Sequence, residues 1–151
     1  MPKTVEMIVS LKVPDTTAIT ALQTLQKIGF DKIKDAKRSD YYTFLIEGDA
    51  EKFRNQISKV DILVNANKHS CSFSAPKGND IKILVKNIND DGNGILSILK
   101  NRLGFKNIKK AEKATLWSLM IDSDEKESRK IADKAAKELL VNENYQEYEI
   151  L

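Results

Sequence analysis

The sequence predicts an α+β fold built from two tandem βαββαβ repeats with antiparallel sheets. Three observations predict it. First, Gly29-Phe30-Asp31-Lys32-Ile33-Lys34-Asp35-Ala36 returns as Gly104-Phe105-Lys106-Asn107-Ile108-Lys109-Lys110-Ala111, an offset of 75 residues. Second, seven of the 21 pairs between 29–49 and 104–124 are identical, and Ile62-Leu63-Val64-Asn65 returns in the same order as Leu139-Leu140-Val141-Asn142. Third, short stretches with apolar residues at every second position alternate with stretches at helical spacing. The division expected is 1–74 for repeat one, 75–79 for a linker and 80–151 for repeat two. Ser74-Ala75-Pro76-Lys77-Gly78-Asn79 carries the Pro and Gly of a connecting turn.

The first strand places Val5, Met7, Val9 and Leu11 on one face and Glu6, Ser10 and Lys12 on the other. Its counterpart places Ile81, Ile83 and Val85 against Lys82 and Lys86. Pro14-Asp15 ends the first strand, and Asp15 suits a helix N-cap. The helix that follows carries Ile19, Leu22, Leu25, Gln26 and Ile28, and its counterpart Ile95, Leu96, Ile98, Leu99 and Leu103. Gly29 and Gly104 suit a left-handed helix end, with Phe30 and Phe105 folding back as the apolar contact. Two short strands are expected next, about 32–38 and 41–47, and again about 107–113 and 116–122. The second helices start at Asp49 and near Asp124, with Glu125 and Glu127 in a first turn that favours acids, and run to about Val60 and Leu140. The last strands are expected at about 67–73 and 144–150.

The outer faces of these strands are not uniformly polar. Ile8, Tyr41 and Leu45 lie there in repeat one, and Leu84, Leu116 and Met120 in repeat two. A sheet with helices on one side normally turns polar residues outward. The pattern predicts sheets covered on both faces, by the other repeat or another chain. That is an internal pseudo-dimer with further self-association. Exchange of the last strand between repeats is open in so short a unit.

Composition narrows the function. Hydrophobic residues make up 41% and charged residues 31%, which excludes a disordered chain. No apolar run approaches the ~18–20 residues of a membrane span, and Met1 to Val13 lacks the pattern of a signal peptide. The 25 basic and 22 acidic residues give a net charge of +3, evenly spread, so no nucleic-acid partner is expected. One cysteine excludes an intrachain disulfide and points to a reducing, cytoplasmic setting. One His and one Cys cannot supply a soft metal site. No metal or cofactor is expected.

Few residues invite a chemical reading. His69 and Cys71 share a strand face, but no acid or amide stands at a spacing that would complete a nucleophilic site; a buried thiol fits better. Gly92-Asn93-Gly94 resembles half a phosphate loop, without the Gly-Lys-Ser/Thr that completes one. Asp90-Asp91 beside it would repel phosphate. Asp122, Asp124, Glu125 and Glu127 lack the bend of a calcium loop and read as a helix start. Trp117, with Tyr41 and Tyr42, suits packing more than base stacking, because no basic residues interleave. Asn65 and Asn142 suit helix termini, with an interface contact as the alternative. No paired carboxylates, triad or complete phosphate loop remains. The chain reads as a non-catalytic protein that works by association.

Three stretches resemble a known family. Val5-Glu6-Met7-Ile8-Val9-Ser10-Leu11-Lys12 resembles the opening strand of PurS, the small subunit of formylglycinamide ribonucleotide amidotransferase. Ile33-Lys34-Asp35-Ala36-Lys37-Arg38 fits that family's Val-x-Asp-x-Arg strand, and Lys113 stands for Arg38 in the second repeat. Glu138-Leu139-Leu140-Val141-Asn142-Glu143-Asn144-Tyr145-Gln146-Glu147-Tyr148-Glu149-Ile150 resembles its ending. The family's Asp-Pro-x-Gly turn is replaced here by Pro14-Asp15-Thr16-Thr17 and Asn89-Asp90-Asp91-Gly92.

The resemblance implies a subunit that joins a glutaminase to an ATP-using synthetase and supports ammonia transfer between them. It implies two partners, the synthetase large subunit and the glutaminase, with the pseudo-dimer supplied covalently. The interface candidates are Asn65, Asn142, Lys12, Arg38, Lys113 and Trp117. The competing expectation is a tandem ligand-sensing module that regulates a metabolic enzyme.

Overall fold

The computed structural model describes residues 2–74, 78, 80–89 and 92–151. The expected linker, apart from Gly78, and the pair Asp90-Asp91 lie outside the described residues. In chain order the elements are β1 (Lys3–Leu11), α1 (Thr16–Lys27), β2 (Ile33–Ile46), α2 (Ala50–Ile57), β3 (His69–Ser72), β4 (Ile81–Asn87), α3 (Asn93–Ser97), β5 (Ile108–Ile121), α4 (Glu125–Ala135) and β6 (Gln146–Ile150). A π-turn extends α3 over Ile98–Arg102 and another extends α4 over Ala136–Leu140. The α+β class and the antiparallel pairing agree with the sequence. The strands form one six-stranded sheet in the order β3-β1-β2-β5-β4-β6.

The helix punctuation follows from single residues. Asp15 has extended backbone geometry and accepts the N–H groups of Thr17 and Ala18 at 3.0 and 3.2 Å. Asp49 and Asp124 do the same for α2 and α4. Each cap satisfies donors that the first helical turn leaves free. At the other end Gly29 (φ 114°) and Gly104 (φ 74°) are left-handed. Phe30 and Phe105 then turn back, their N–H groups reaching Leu25 and Leu99 carbonyls at 2.9 Å each.

Three expectations need correction. The two short strands expected in each repeat are one continuous strand of 14 residues, β2 and β5. Arg38-Ser39-Asp40-Tyr41 and Lys113-Ala114-Thr115-Leu116 contain no Gly or Pro, so nothing reverses the chain there. The buried side of α1 is Ala18 and Leu25, with Ala21 and Leu22 packed beside them. Ile19 and Ile28 stay 45% and 53% exposed. The small alanines let the helix approach a sheet that already carries the bulk of Trp117. Leu11, expected in the core, is exposed at the end of its strand.

The last strands are not exchanged: β3 pairs with β1, Leu11 opposite His69, and β6 pairs with β4, Asn87 opposite Gln146. The first helices are exchanged instead. The chain divides into two compact units that cut β2 between Ser39 and Asp40 and β5 between Ala114 and Thr115. One unit holds β1, β3, α2, α3 and the adjoining parts of β2 and β5. Its core is Val5, Met7, Val9, Phe44, Phe53, Ile57 and Leu99, with Ile95 and Leu96 of α3 packed against it. Phe53 stands edge-on to Phe44 and Phe105, with ring centres 5.4 and 6.0 Å apart. The other unit holds α1, β4, α4, β6 and the remaining parts of β2 and β5. Its core joins Ala18 and Leu25 of α1 to Ile81, Ile83, Val85, Trp117, Leu119, Ala132 and Ala135. Each unit thus takes its first helix from the other repeat.

On the outer faces, Ile8, Leu84 and Leu116 are buried, Tyr41 and Leu45 are half-buried, and Met120 is exposed.

Candidate functional site

The six residues singled out from the sequence fall into three settings. Asn65 and Asn142 occupy equivalent turns that lead into β3 and β6. The Asn65 Oδ1 accepts the Asn67 N–H at 3.0 Å, and the Asn142 Oδ1 accepts the Asn144 N–H at 3.1 Å. Their carbonyls accept the N–H groups of His69 and Gln146 at 2.7 and 2.8 Å. Among the described residues no non-glycine has positive φ. These asparagines therefore serve by side-chain hydrogen bonding, not by left-handed geometry. Lys12 belongs to the first of these turns: its Nζ donates to the Ala66 carbonyl at 2.8 Å, and its N–H to the Lys68 carbonyl at 2.8 Å.

Arg38 and Lys113 are equivalent by repeat but differ in use. Arg38 Nε lies 3.1 Å from Asp15 Oδ2, so the guanidinium braces the residue that caps α1. Lys113 Nζ lies 5.7 Å from the centre of the Tyr42 ring, within cation–π range. Burial, and then the charge of Asp40, push the Tyr42 hydroxyl up to about 12. Trp117 is 6% exposed and belongs to its unit's core, as the packing reading expects.

The residues weighed for chemistry take structural positions. His69 Nδ1 accepts the Asn65 N–H at 2.9 Å, which commits that nitrogen to the turn. Burial raises the Cys71 thiol, so the thiolate is disfavoured. Gly92 opens α3 with φ 78°, and a Cβ there would lie 1.7 Å from the Ala111 carbonyl oxygen. Its glycine is required by close backbone approach. Among the described residues no group of three His, Cys, Asp or Glu could hold a metal ion. No helix of the described residues is long and apolar enough to cross a membrane.

Sequence reasoning missed two contacts. The Tyr148 hydroxyl donates to Asp133 Oδ1, joining β6 to α4. Burial first, then Asp133, push this hydroxyl up to about 12, and the same bond holds the Asp133 carboxyl below its usual range. Arg129 on α4 donates to the Leu151 and Ile150 carbonyls at 3.0 and 3.3 Å. No local pattern marks either contact, because its partners are 15 to 22 residues apart.

Among the concavities of the unit that contains Trp117, two are lined by more than one element. One of about 640 Å³ is lined by Asp80, Lys82, Asp122, Glu125 and Arg129, with Ser123, Ser128 and Leu151 among its other residues. One of about 430 Å³ carries no charged side chain; Thr16, Thr17, Thr20 and Thr24 face Trp117, Leu139 and Leu140.

Comparison with protein families matches residues 80–151, just under half of the chain, to the family described as PurS, phosphoribosylformylglycinamidine (FGAM) synthase. No curated protein matches the chain. Among solved structures, an unknown protein from Galdieria sulphuraria aligns over 99% of both chains at 8% identity, with a TM-score of 0.19. That likeness is too weak to bear on the fold.

Proposed function

We propose that this chain is a tandem PurS protein, because residues 80–151 match the PurS family model and residues 1–74 repeat the same order of strands and helices. It acts in phosphoribosylformylglycinamidine synthase, in purine biosynthesis. It is a non-catalytic small subunit that bridges the glutaminase and the synthetase large subunit in the cytoplasm and supports ammonia transfer between them. The single observation that carries this reading is the family match. Two features support the non-catalytic part. Cys71 is half-buried with a raised thiol, and His69 is committed to the Asn65 backbone.

The turns at Asn65 and Asn142, with Lys12, Arg38 and Lys113, are the proposed contact positions. Trp117 contributes as one of the residues that line the threonine-rich groove. The exposed outer sheet residue Met120 is the proposed site of self-association. The two repeats have diverged, one for each partner. Exchanging Arg38 and Lys113, as the pair R38K and K113R, then impairs assembly; unchanged assembly overturns the divergence.

The test is glutamine-dependent amidotransferase activity of the synthetase and glutaminase from the same genome, with and without this chain. Activity and a stable ternary complex by light scattering are expected only when it is present. Equal activity in its absence ends the bridging reading. The 640 Å³ cavity, which holds both charge signs, favours ligand sensing as the second reading. A thermal-shift screen with amino acids and nucleotides tests it. A tight ligand raises the melting point by mass action, whereas a bridging subunit shows no shift.

A further inference from the structure

The two repeats close equivalent turns with four matching hydrogen bonds, which differ in one acceptor. In the second repeat the Asn142 N–H donates to the side-chain Oε1 of Gln146 at 2.9 Å. In the first repeat the Asn65 N–H donates to His69 Nδ1 at 2.9 Å. The acceptor stands four residues after the asparagine in both, and both residues open the edge strand that follows. An amide oxygen accepts at any ordinary pH. An imidazole nitrogen accepts only while it carries no proton, and once protonated both ring nitrogens are donors. Histidine is also the side chain that ordinarily changes charge between pH 5 and 8.

We infer that the Asn65–His69 hydrogen bond is a proton-operated latch on the β3 edge of repeat one, and that Gln146 makes its counterpart in repeat two insensitive to protons. When Nδ1 is protonated, two N–H groups face each other and the turn loses a bond. The same turn holds both ends of Lys12 through the Ala66 and Lys68 carbonyls, at 2.8 Å each. Acidification therefore loosens the end of β1, where β3 pairs with it. The charged and titratable groups nearest His69 along the chain are Lys68, just before it, and Cys71, two residues on in β3, while Lys12, just past β1, binds the Ala66 and Lys68 carbonyls of the same turn. Leu11 is the residue paired with His69 across the strands. No ion pair among the described residues involves His69. Nδ1 accepts only when it carries no proton, so the latch is whole at high pH and released as pH falls.

The test follows the Asn65 and Asn142 amide protons of the full chain by NMR between pH 7.5 and 5, together with the His69 ring. The amide shift of Asn65 is expected to move with the ring titration. Its protection against exchange, corrected for intrinsic rate, falls roughly fivefold, the loss of one ordinary hydrogen bond. Asn142 stays constant. His69→Gln abolishes the change at Asn65, and Gln146→His installs it at Asn142. If the ring titrates while Asn65 is unmoved, or if the change survives in His69→Gln, the latch does not exist. Gln146→His reports independently should the first variant fold poorly.

Discussion

Arg38 holds Asp15 from the side while Asp15 caps α1 from the front. Nε lies 3.1 Å from Oδ2 and Nη2 3.4 Å from Oδ1, and Oδ1 also accepts the Thr17 and Ala18 N–H groups. The carboxylate thus completes two tasks with one fixed rotamer. Asp15→Ala is expected to lower unfolding free energy by about 1–2 kcal/mol through the lost cap. Arg38→Ala is expected to cost less than about 1 kcal/mol, because the pair is partly exposed. A double-mutant cycle by urea denaturation checks the coupling, which should be positive and small.

Glycine is required at one position of the Gly92-Asn93-Gly94 stretch and dispensable at another. A Cβ at Gly92 meets the Ala111 backbone oxygen at 1.7 Å, while one at Gly94 meets nothing within 4 Å. Gly92→Ala is expected to destabilise by roughly 3 kcal/mol or more, from left-handed strain together with a clash that backbone must absorb. Gly94→Ala is expected to be neutral or stabilising by up to about 1 kcal/mol. Denaturation midpoints of the two variants separate these outcomes.

Trp117 is the single tryptophan and lies 6% exposed in the core of one unit. Trp117→Ala is expected to cost about 3–5 kcal/mol, and Trp117→Tyr, the aromatic type at the equivalent Tyr42, distinctly less. Native fluorescence should be blue-shifted and should redden on unfolding. An emission maximum like that of free tryptophan in the native protein contradicts the burial.

The Tyr148–Asp133 bond has a pH signature at both ends. The tyrosine is raised to about 12, so its contribution to stability is complete below its ordinary value near 10 and is lost as pH rises through about 12. The aspartate is lowered, so its contribution is present above its ordinary value and lost as pH falls through the folded one. Tyr148→Phe is expected to return the Asp133 carboxyl toward its usual range by NMR titration. It should also remove one of the late phenolate steps near pH 12, with Tyr42 supplying another.

Cys71 is half-buried with its thiol raised by burial. A thiol reagent at neutral pH is expected to react with the native chain at least tenfold more slowly than with the urea-unfolded chain. Equal rates contradict the packing of Cys71 against the core.

Local signals read correctly from the sequence are those whose partners lie within a few residues. Asp15, Asp49 and Asp124 cap donors two or three residues ahead. Gly29 and Gly104 supply left-handed backbone where a helix must stop. The equivalence of His69 with Gln146 was also legible, since the repeat aligns them. Its meaning was not, because the bond to Asn65 depends on the turn that brings the ring back onto the chain.

By itself the sequence determined the α+β class, the internal repeat of its residues, and the residues that cap α1, α2 and α4. Backbone sterics and capping chemistry act over one turn, and one turn of sequence encodes them. Only the tertiary structure decided that β2 and β5 run unbroken and that each unit takes its first helix from the other repeat. Two copies of one pattern offer α1 and α3 nearly equivalent apolar sheets, so periodicity alone cannot assign the partner. Packing assigns it: Ala18 and Leu25 close on the core of Trp117, and Leu99 on the core of Phe44 and Phe53.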